Sequence, residues 1–175
     1  QHAEDPALSH GAAVNTGVAS RALGIQGQSS DAEGTMVERD LRSCAATGCR
    51  YHALHISTAR SLIAIAAAKA KGLLASVEVT PHHLLLDDNF CCGGDPNFKM
   101  NPPLRDPSDR LALLEHLAGG TIDAVATDHA PHSPVDKAAG MSHAPFGVIG
   151  LETAFAALLS LVYDGTISFQ RAVAL

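Results

Sequence analysis

No cluster of basic residues occurs in this sequence: its twelve Lys and Arg are scattered, and the formal net charge is −6. Neutralising phosphates takes grouped cations, so a nucleic-acid surface is excluded and a small molecule is the expected partner. No uninterrupted apolar run approaches the ~20 residues of a membrane span, and no basic-then-apolar leader opens the chain, which favours the cytoplasm. Cysteines number only four, Cys44, Cys49, Cys91 and Cys92, and none stand in Cys-x-x-Cys spacing. The adjacent pair could close only a strained ring, so all read as reduced thiols. An initiating methionine is missing as well. The chain opens at Gln1-His2, with Glu4 and Asp5 close behind, as if inside a site loop, and is expected to be a fragment of a longer protein.

What is present is core-forming material, 46% apolar over 175 residues, enough for one globular unit spanning residues 1–175. Histidine is plentiful, with ten residues, several paired or next to acids, and that is where metal chemistry is to be sought. Short strand-like runs, Tyr51 to His55, Ala75 to Val79 and Ile122 to Thr127, alternate with helix-like stretches, the signature of parallel β/α units. The helices are signalled by start and stop residues. Ser30 and Glu33 predict a capping box, followed by an apolar face of Val37, Leu41, Cys44 and Ala45 and a stop at Gly48. Further helices are expected from Thr58 to Lys71, from Ser108 to the Gly119-Gly120 stop with a Leu111, Leu114, Leu117 stripe, and from Leu151 to Val162. Residues 9–30, 87–107 and 130–150 read as long loops, and loops of that length in a compact domain are usually functional. The last is expected to close over a substrate.

Each strand-like run ends in a polar cluster: His55-Ile56-Ser57-Thr58, Thr80-Pro81-His82-His83 and Thr127-Asp128-His129. Chemistry at strand carboxyl ends is the habit of a (β/α)8 barrel, of which the runs here make about half, since a whole one needs about 250 residues. His2, His55 and Asp128 are therefore expected to converge on one metal, imidazole and carboxylate together suiting zinc. Asp128 has a second expected role, taking a proton from activated water and passing it to a leaving nitrogen. Asn101, stiffened by Pro102 and Pro103, carries an amide that can both donate to and accept from a small planar substrate. His82 and His83 read equally well as loop-holding residues, and neither is assigned to metal.

Gln1-His2-Ala3-Glu4-Asp5, His55-Ile56-Ser57-Thr58, Glu78-Val79-Thr80-Pro81-His82-His83-Leu84, Asn101-Pro102-Pro103-Leu104-Arg105 and Ala126-Thr127-Asp128-His129-Ala130-Pro131-His132 resemble, in order, the motifs of class I dihydroorotases. The likeness continues through Ala144-Pro145-Phe146-Gly147 and Gly150-Leu151-Glu152-Thr153. The resemblance implies the carboxyl-terminal part of an α/β, amidohydrolase-type TIM barrel holding two Zn2+, with no organic cofactor. His2 after strand five and His55 after strand six would be zinc ligands, and Asp128 after strand eight both ligand and catalytic acid/base. Asn101, His132 and the backbone of Phe146 and Gly147 would hold the substrate. The family's other ligands, a His-x-His pair and a metal-bridging carboxylate, together with a substrate-binding Arg and Asn, have no counterpart here, so the chain alone is expected to be inactive.

The implied reaction interconverts N-carbamoyl-L-aspartate and L-dihydroorotate in pyrimidine biosynthesis. A homodimer or a complex with aspartate carbamoyltransferase is the implied assembly. The rival enzyme reading is a hydantoinase, dihydropyrimidinase or allantoinase, which look alike at the metal ligands. His132 and Asn101 discriminate, because a cation-capable His suits the carboxylate of dihydroorotate. The rival of another class is a non-catalytic barrel serving as a scaffold, and the retained ligands argue against it.

Overall fold

The computed structural model describes all of residues 1–175. Five short strands, β1 (Val14–Asn15), β2 (Gly27–Gln28), β3 (Tyr51–Ala53), β4 (Ala75–Val79) and β5 (Ala124–Val125), pair only in parallel. They form a β1-β2 ribbon and a β3-β4-β5 sheet. Gln1 extends the sheet beside β3, its amino group donating to the His52 carbonyl at 2.8 Å and its carbonyl accepting from the Leu54 amide at 3.1 Å.

The main helices are α1 (Pro6–Ser9), α2 (Val18–Leu23), α3 (Asp31–Thr47), α4 (Ala59–Ala70), α5 (Pro81–Leu85) and α6 (Pro107–Ala118). Two short ones, α7 (Pro134–Lys137) and α8 (Gly140–His143), precede α9 (Ala154–Tyr163) and α10 (Phe169–Ala174). Parallel strands need crossovers, and α4 supplies the one between β3 and β4, α5 and α6 the one between β4 and β5. Alternation along the strands sends Tyr51, Ala53, Val77 and Val79 into the helix layer, where they pack with Val37, Leu62, Ile65, Leu113 and Leu117. The opposite face carries His52, Ser76 and Glu78, joined by His52 Nδ1 to Ser76 Oγ at 2.7 Å and His52 Nε2 to Glu78 Oε2 at 3.2 Å.

The helix from Asp31 to Thr47 and the strand from Ala75 to Val79 stand where the sequence puts them. Other expectations are corrected. Ser30 makes no cap hydrogen bond; Glu33 turns inward instead, and the same three-residue spacing that suggests a capping box serves a buried carboxylate. The third helix starts at Pro107 on the Asp106 cap, whose carboxylate accepts from the Ser108 and Asp109 amides. Its buried positions are Leu113 and Leu117 while Leu111 is exposed, because the helix packs along an i, i+4 line shifted from the expected stripe. The fourth starts at Ala154, three residues late, after a turn over Leu151 to Thr153.

Residues 9–30 are not one loop: they hold β1, α2 and β2, strands too short to show a period in the sequence. The register Asn15↔Gln28 sets two side-chain amides next to each other. That close approach needs Gly27, since a Cβ there would stand 2.5 Å from Thr16 Cα. A second small core, with Val14, Ala19, Cys91, Met100, Leu104 and Met141, ties this ribbon to the loop that carries Asn101.

Candidate functional site

The strands stop where the chemistry starts. His55 and Asp128 both adopt left-handed backbone, φ 34° and 46°, which non-glycine residues rarely occupy and which recurs at functional sites. At His55 the ladder is only interrupted, because the Ile56 amide resumes pairing with the Glu78 carbonyl at 2.9 Å. Just beyond it, Glu33 fixes the turn: its buried carboxylate accepts from the Ser57 amide (3.0 Å) and hydroxyl (2.5 Å) and from the Thr58 amide (3.1 Å) and hydroxyl (2.7 Å). Four donors from two consecutive residues thus converge on one carboxylate.

His55 is brought against His2. The rings meet edge to face with centroids 4.7 Å apart, and His2 Nδ1 lies 3.0 Å from His55 Nε2. Two imidazole lone pairs aimed at each other at that distance repel unless a proton or a cation lies between them. Nitrogens bound ~2.1 Å from one tetrahedral zinc stand ~3.4 Å apart, so the pair fits a shared metal after a small opening. Burial, and then the charge of His2, push the His55 pKa down, while the charge of Asp128 opposes that, so the neutral, ligand-competent ring is favoured. Asp128 itself is exposed. No three His, Cys, Asp or Glu side chains converge into a closed metal-binding set.

Glu4 and Asn101 complete the wall beside His2. Glu4 Oε2 accepts from His2 Nε2 at 2.7 Å and from Asn101 Nδ2 at 2.7 Å. Burial raises the Glu4 pKa, but Ser9, His2 and Asn101 beside it outweigh that and hold the carboxyl below its ordinary range, so it is ionised. Because an ionised carboxylate only accepts, His2 carries its proton on Nε2 and keeps Nδ1 free to bind. Gln28, Glu33 and Arg105 line the same pocket.

The remaining expected residues form a neighbouring cluster. His132, exposed, donates from Nε2 to the Phe146 carbonyl at 2.9 Å, and the Gly147 amide donates to the Lys99 carbonyl at 3.0 Å. That leaves the Phe146 N–H and the Gly147 carbonyl for a ligand. Gly147 has φ 136°, and a Cβ there would lie 2.6 Å from Ala130 Cβ and 3.1 Å from His132 Nε2, so glycine is required. The stretch over residues 130–150, which holds α7 and α8 and so is not the single loop expected, is anchored by Lys137, whose buried ammonium donates to the Pro96, Lys99 and Pro145 carbonyls at 3.0, 3.1 and 3.0 Å.

His82 and His83 stand behind the site. His83 is fully hydrogen-bonded, Nδ1 with Thr80 Oγ1 at 2.7 Å and Nε2 with the Pro102 carbonyl at 3.0 Å, which makes it a loop-holding residue. His82 Nε2 is buried without a partner. Sequence reading missed Glu4, Gln28, Glu33, Arg105, Lys99 and Lys137 as site residues. Glu4 and Arg105 stood inside quoted motifs with no role attached; for Gln28 nothing in the sequence points to a site.

No protein-family model matches the chain. It is 50% identical over 173 residues to a dihydroorotase of Staphylococcus epidermidis, covering 98% of this chain and 41% of the relative. It is 52% identical over 154 residues to the dihydroorotase of Geobacillus thermodenitrificans, covering 88% of this chain and 36% of the relative. Among solved structures, the L-hydantoinase (dihydropyrimidinase) from Arthrobacter aurescens superposes with a TM-score of 0.85 at 26% identity, over 99% of this chain and 40% of that one. The chain therefore spans about two fifths of the curated relatives it matches.

Proposed function

We propose that this chain, about half identical over nearly its whole length to curated dihydroorotases, is the carboxyl-terminal part of an amidohydrolase-type (β/α)8 barrel of that family, from the end of strand five through strand eight. The protein that carries it would interconvert N-carbamoyl-L-aspartate and L-dihydroorotate in the cytoplasm. The observation that carries this reading is the approach of His2 Nδ1 to His55 Nε2 at 3.0 Å with Asn101 against Glu4 alongside.

On this reading His2 and His55 hold zinc, with Asp128 joining them once ligands from the rest of the protein close the set. When bound, the metal would supply Lewis acidity toward the ring carbonyl. Glu4 keeps His2 in the Nε2–H tautomer by accepting its proton at 2.7 Å, as partners behind metal-binding histidines do. Asp128 collects a proton from the attacking water and delivers it to the ring nitrogen as the amide opens. Asn101 and His132, with the free Phe146 N–H and Gly147 carbonyl, orient the ring and its carboxylate.

The test is metal removal in the full-length protein. Chelation should abolish dihydroorotate hydrolysis and zinc should restore it, while His55→Ala should lower both zinc stoichiometry and turnover. The isolated chain, with only two imidazoles converged, should bind zinc weakly and turn over negligibly. Full activity in the chelated protein would sink the proposal.

A further inference from the structure

Arg105 lies almost wholly buried, 3% exposed, and no carboxylate touches its guanidinium. Its hydrogen bonds go to neutral oxygens: Nε to Ser57 Oγ at 3.0 Å, Nη1 to Asn15 Oδ1 at 3.1 Å and to the Gln28 carbonyl at 3.2 Å, and Nη2 to Gln28 Oε1 at 3.1 Å. A guanidinium can only donate. Each amide side chain it meets must therefore present oxygen to it and turn its NH2 the other way.

For Asn15 that NH2 reaches Asp88 Oδ2 at 3.1 Å. For Gln28 it reaches Asn101 Oδ1 at 3.3 Å. The same logic then passes to Asn101: with its oxygen taken by Gln28, its NH2 faces Glu4 Oε2 at 2.7 Å, an acceptor-only group. One end of the chain can only donate and the other can only accept, so both intervening amides have a single consistent orientation.

We propose that Gln28, held by Arg105, is a positioning residue that locks the Asn101 amide with its NH2 edge toward the pocket. Building on the reading of Asn101 as a substrate contact, this makes that contact a donor only. One NH2 hydrogen is engaged by Glu4. The other is offered to an acceptor on the ligand, a ring carbonyl or a carboxylate oxygen, and a ligand presenting N–H at that place is disfavoured. The register Asn15↔Gln28 of the β1-β2 ribbon is what brings both amides to one guanidinium.

The test has two arms. In the full-length protein, side-chain amide NMR with couplings across hydrogen bonds should connect Asn101 Nδ2 to the Glu4 carboxyl carbon and Gln28 Nε2 to the Asn101 amide carbon. Gln28→Glu satisfies Arg105 with a carboxylate yet offers Asn101 only acceptors. With an acceptor-only group on either side, the Asn101 amide should lose its single orientation, its coupling to Glu4 weakening and a second coupling appearing to the carboxylate introduced at position 28. Gln28→Met removes the donor to the Asn101 oxygen and leaves Glu4 alone to hold the amide, so the coupling to Glu4 should weaken with no new one appearing.

In the full-length enzyme, Gln28→Glu should raise KM for dihydroorotate about tenfold, the scale of one hydrogen bond, with kcat changed less than about twofold. A wild-type coupling pattern with Asn101 oxygen toward Glu4, or an Asn101 orientation indifferent to both substitutions, overturns the proposal. If the couplings move as stated and KM does not, the lock stands and the substrate-contact reading of Asn101 falls.

Discussion

At the scale of single residues, the proposed function assigns proton handling and recognition to different places. Asp128 is exposed at the end of β5 with its charge bearing on His55, whereas His132 lies in the Phe146 and Gly147 cluster. Asp128→Asn tolerates the left-handed backbone, since Asn is among the few residues at ease there, so the fold should survive the change. It removes the proposed proton carrier, and in the full-length protein kcat for dihydroorotate should fall by ~100-fold or more with a much smaller change in KM. His132→Ala should act differently. Loss of a charge-assisted contact to the substrate carboxylate should cost ~2 kcal/mol or more, at least ~30-fold in kcat/KM for dihydroorotate. Dihydrouracil, which has no carboxylate, should be nearly indifferent. Equal losses for both substrates would remove the carboxylate contact and favour a hydantoinase-like specificity.

At the scale of elements, the α3 helix reaches under the β3-to-α4 turn through Glu33. Its carboxylate accepts from both Ser57 and Thr58, and Thr58 in turn caps α4 by accepting from the Ser61 amide. Ser57 Oγ also accepts from Arg105 Nε at 3.0 Å, so the joint is continuous with the Asn101 loop. Glu33→Ala would bury donors with no acceptor near a cationic Arg105. Its cost should be ~3 to 5 kcal/mol, read as a lowered urea midpoint. Glu33→Gln keeps one acceptor oxygen and should lose less. A Glu33→Ala protein as stable as the wild type would show that the turn is held by α4 packing alone. A dependence on Ser30 in place of Glu33 would restore the capping-box reading.

At the scale of the whole molecule, the pair of histidines behind the site makes the fold acid-sensitive. Burial pushes the His82 pKa down to about 2 and that of His83 down to about 3. In the unfolded chain both titrate near ~6.5, so the unfolded state takes up protons that the native state refuses. Stability is therefore whole above ~pH 6.5 and falls as pH drops toward the native values, by up to ~1.4 kcal/mol per pH unit for each ring. Urea midpoints measured at pH 7 and pH 5 should show the loss. His82→Leu should shrink it by roughly one ring's share, because His82 Nε2 already lacks a partner and its removal breaks no hydrogen bond at that atom. An unchanged pH slope in that variant would contradict the burial argument. No helix of the molecule is long and apolar enough to cross a membrane.

The sequence by itself determined the elements whose signal is local and repeated. The α3 period with its Gly48 stop, the apolar run of β4, and the polar residues closing each strand are all legible from neighbours a few positions apart. It also singled out His2, His55 and Asn101 as candidates, because their motifs occur in order. What it left open is whatever depends on contact across the fold. The two-residue strands β1 and β2 exist only because they pair with each other, and no period survives in two residues. Glu33 keeps the spacing of a cap whichever way its carboxylate turns, and packing turned it inward. The role of Gln28 came from standing between Arg105, 77 residues away in sequence, and Asn101, 73 away. Only the tertiary structure could set a donor-only group and an acceptor-only group at the two ends of one hydrogen-bonded line and so fix the direction of the amides between them.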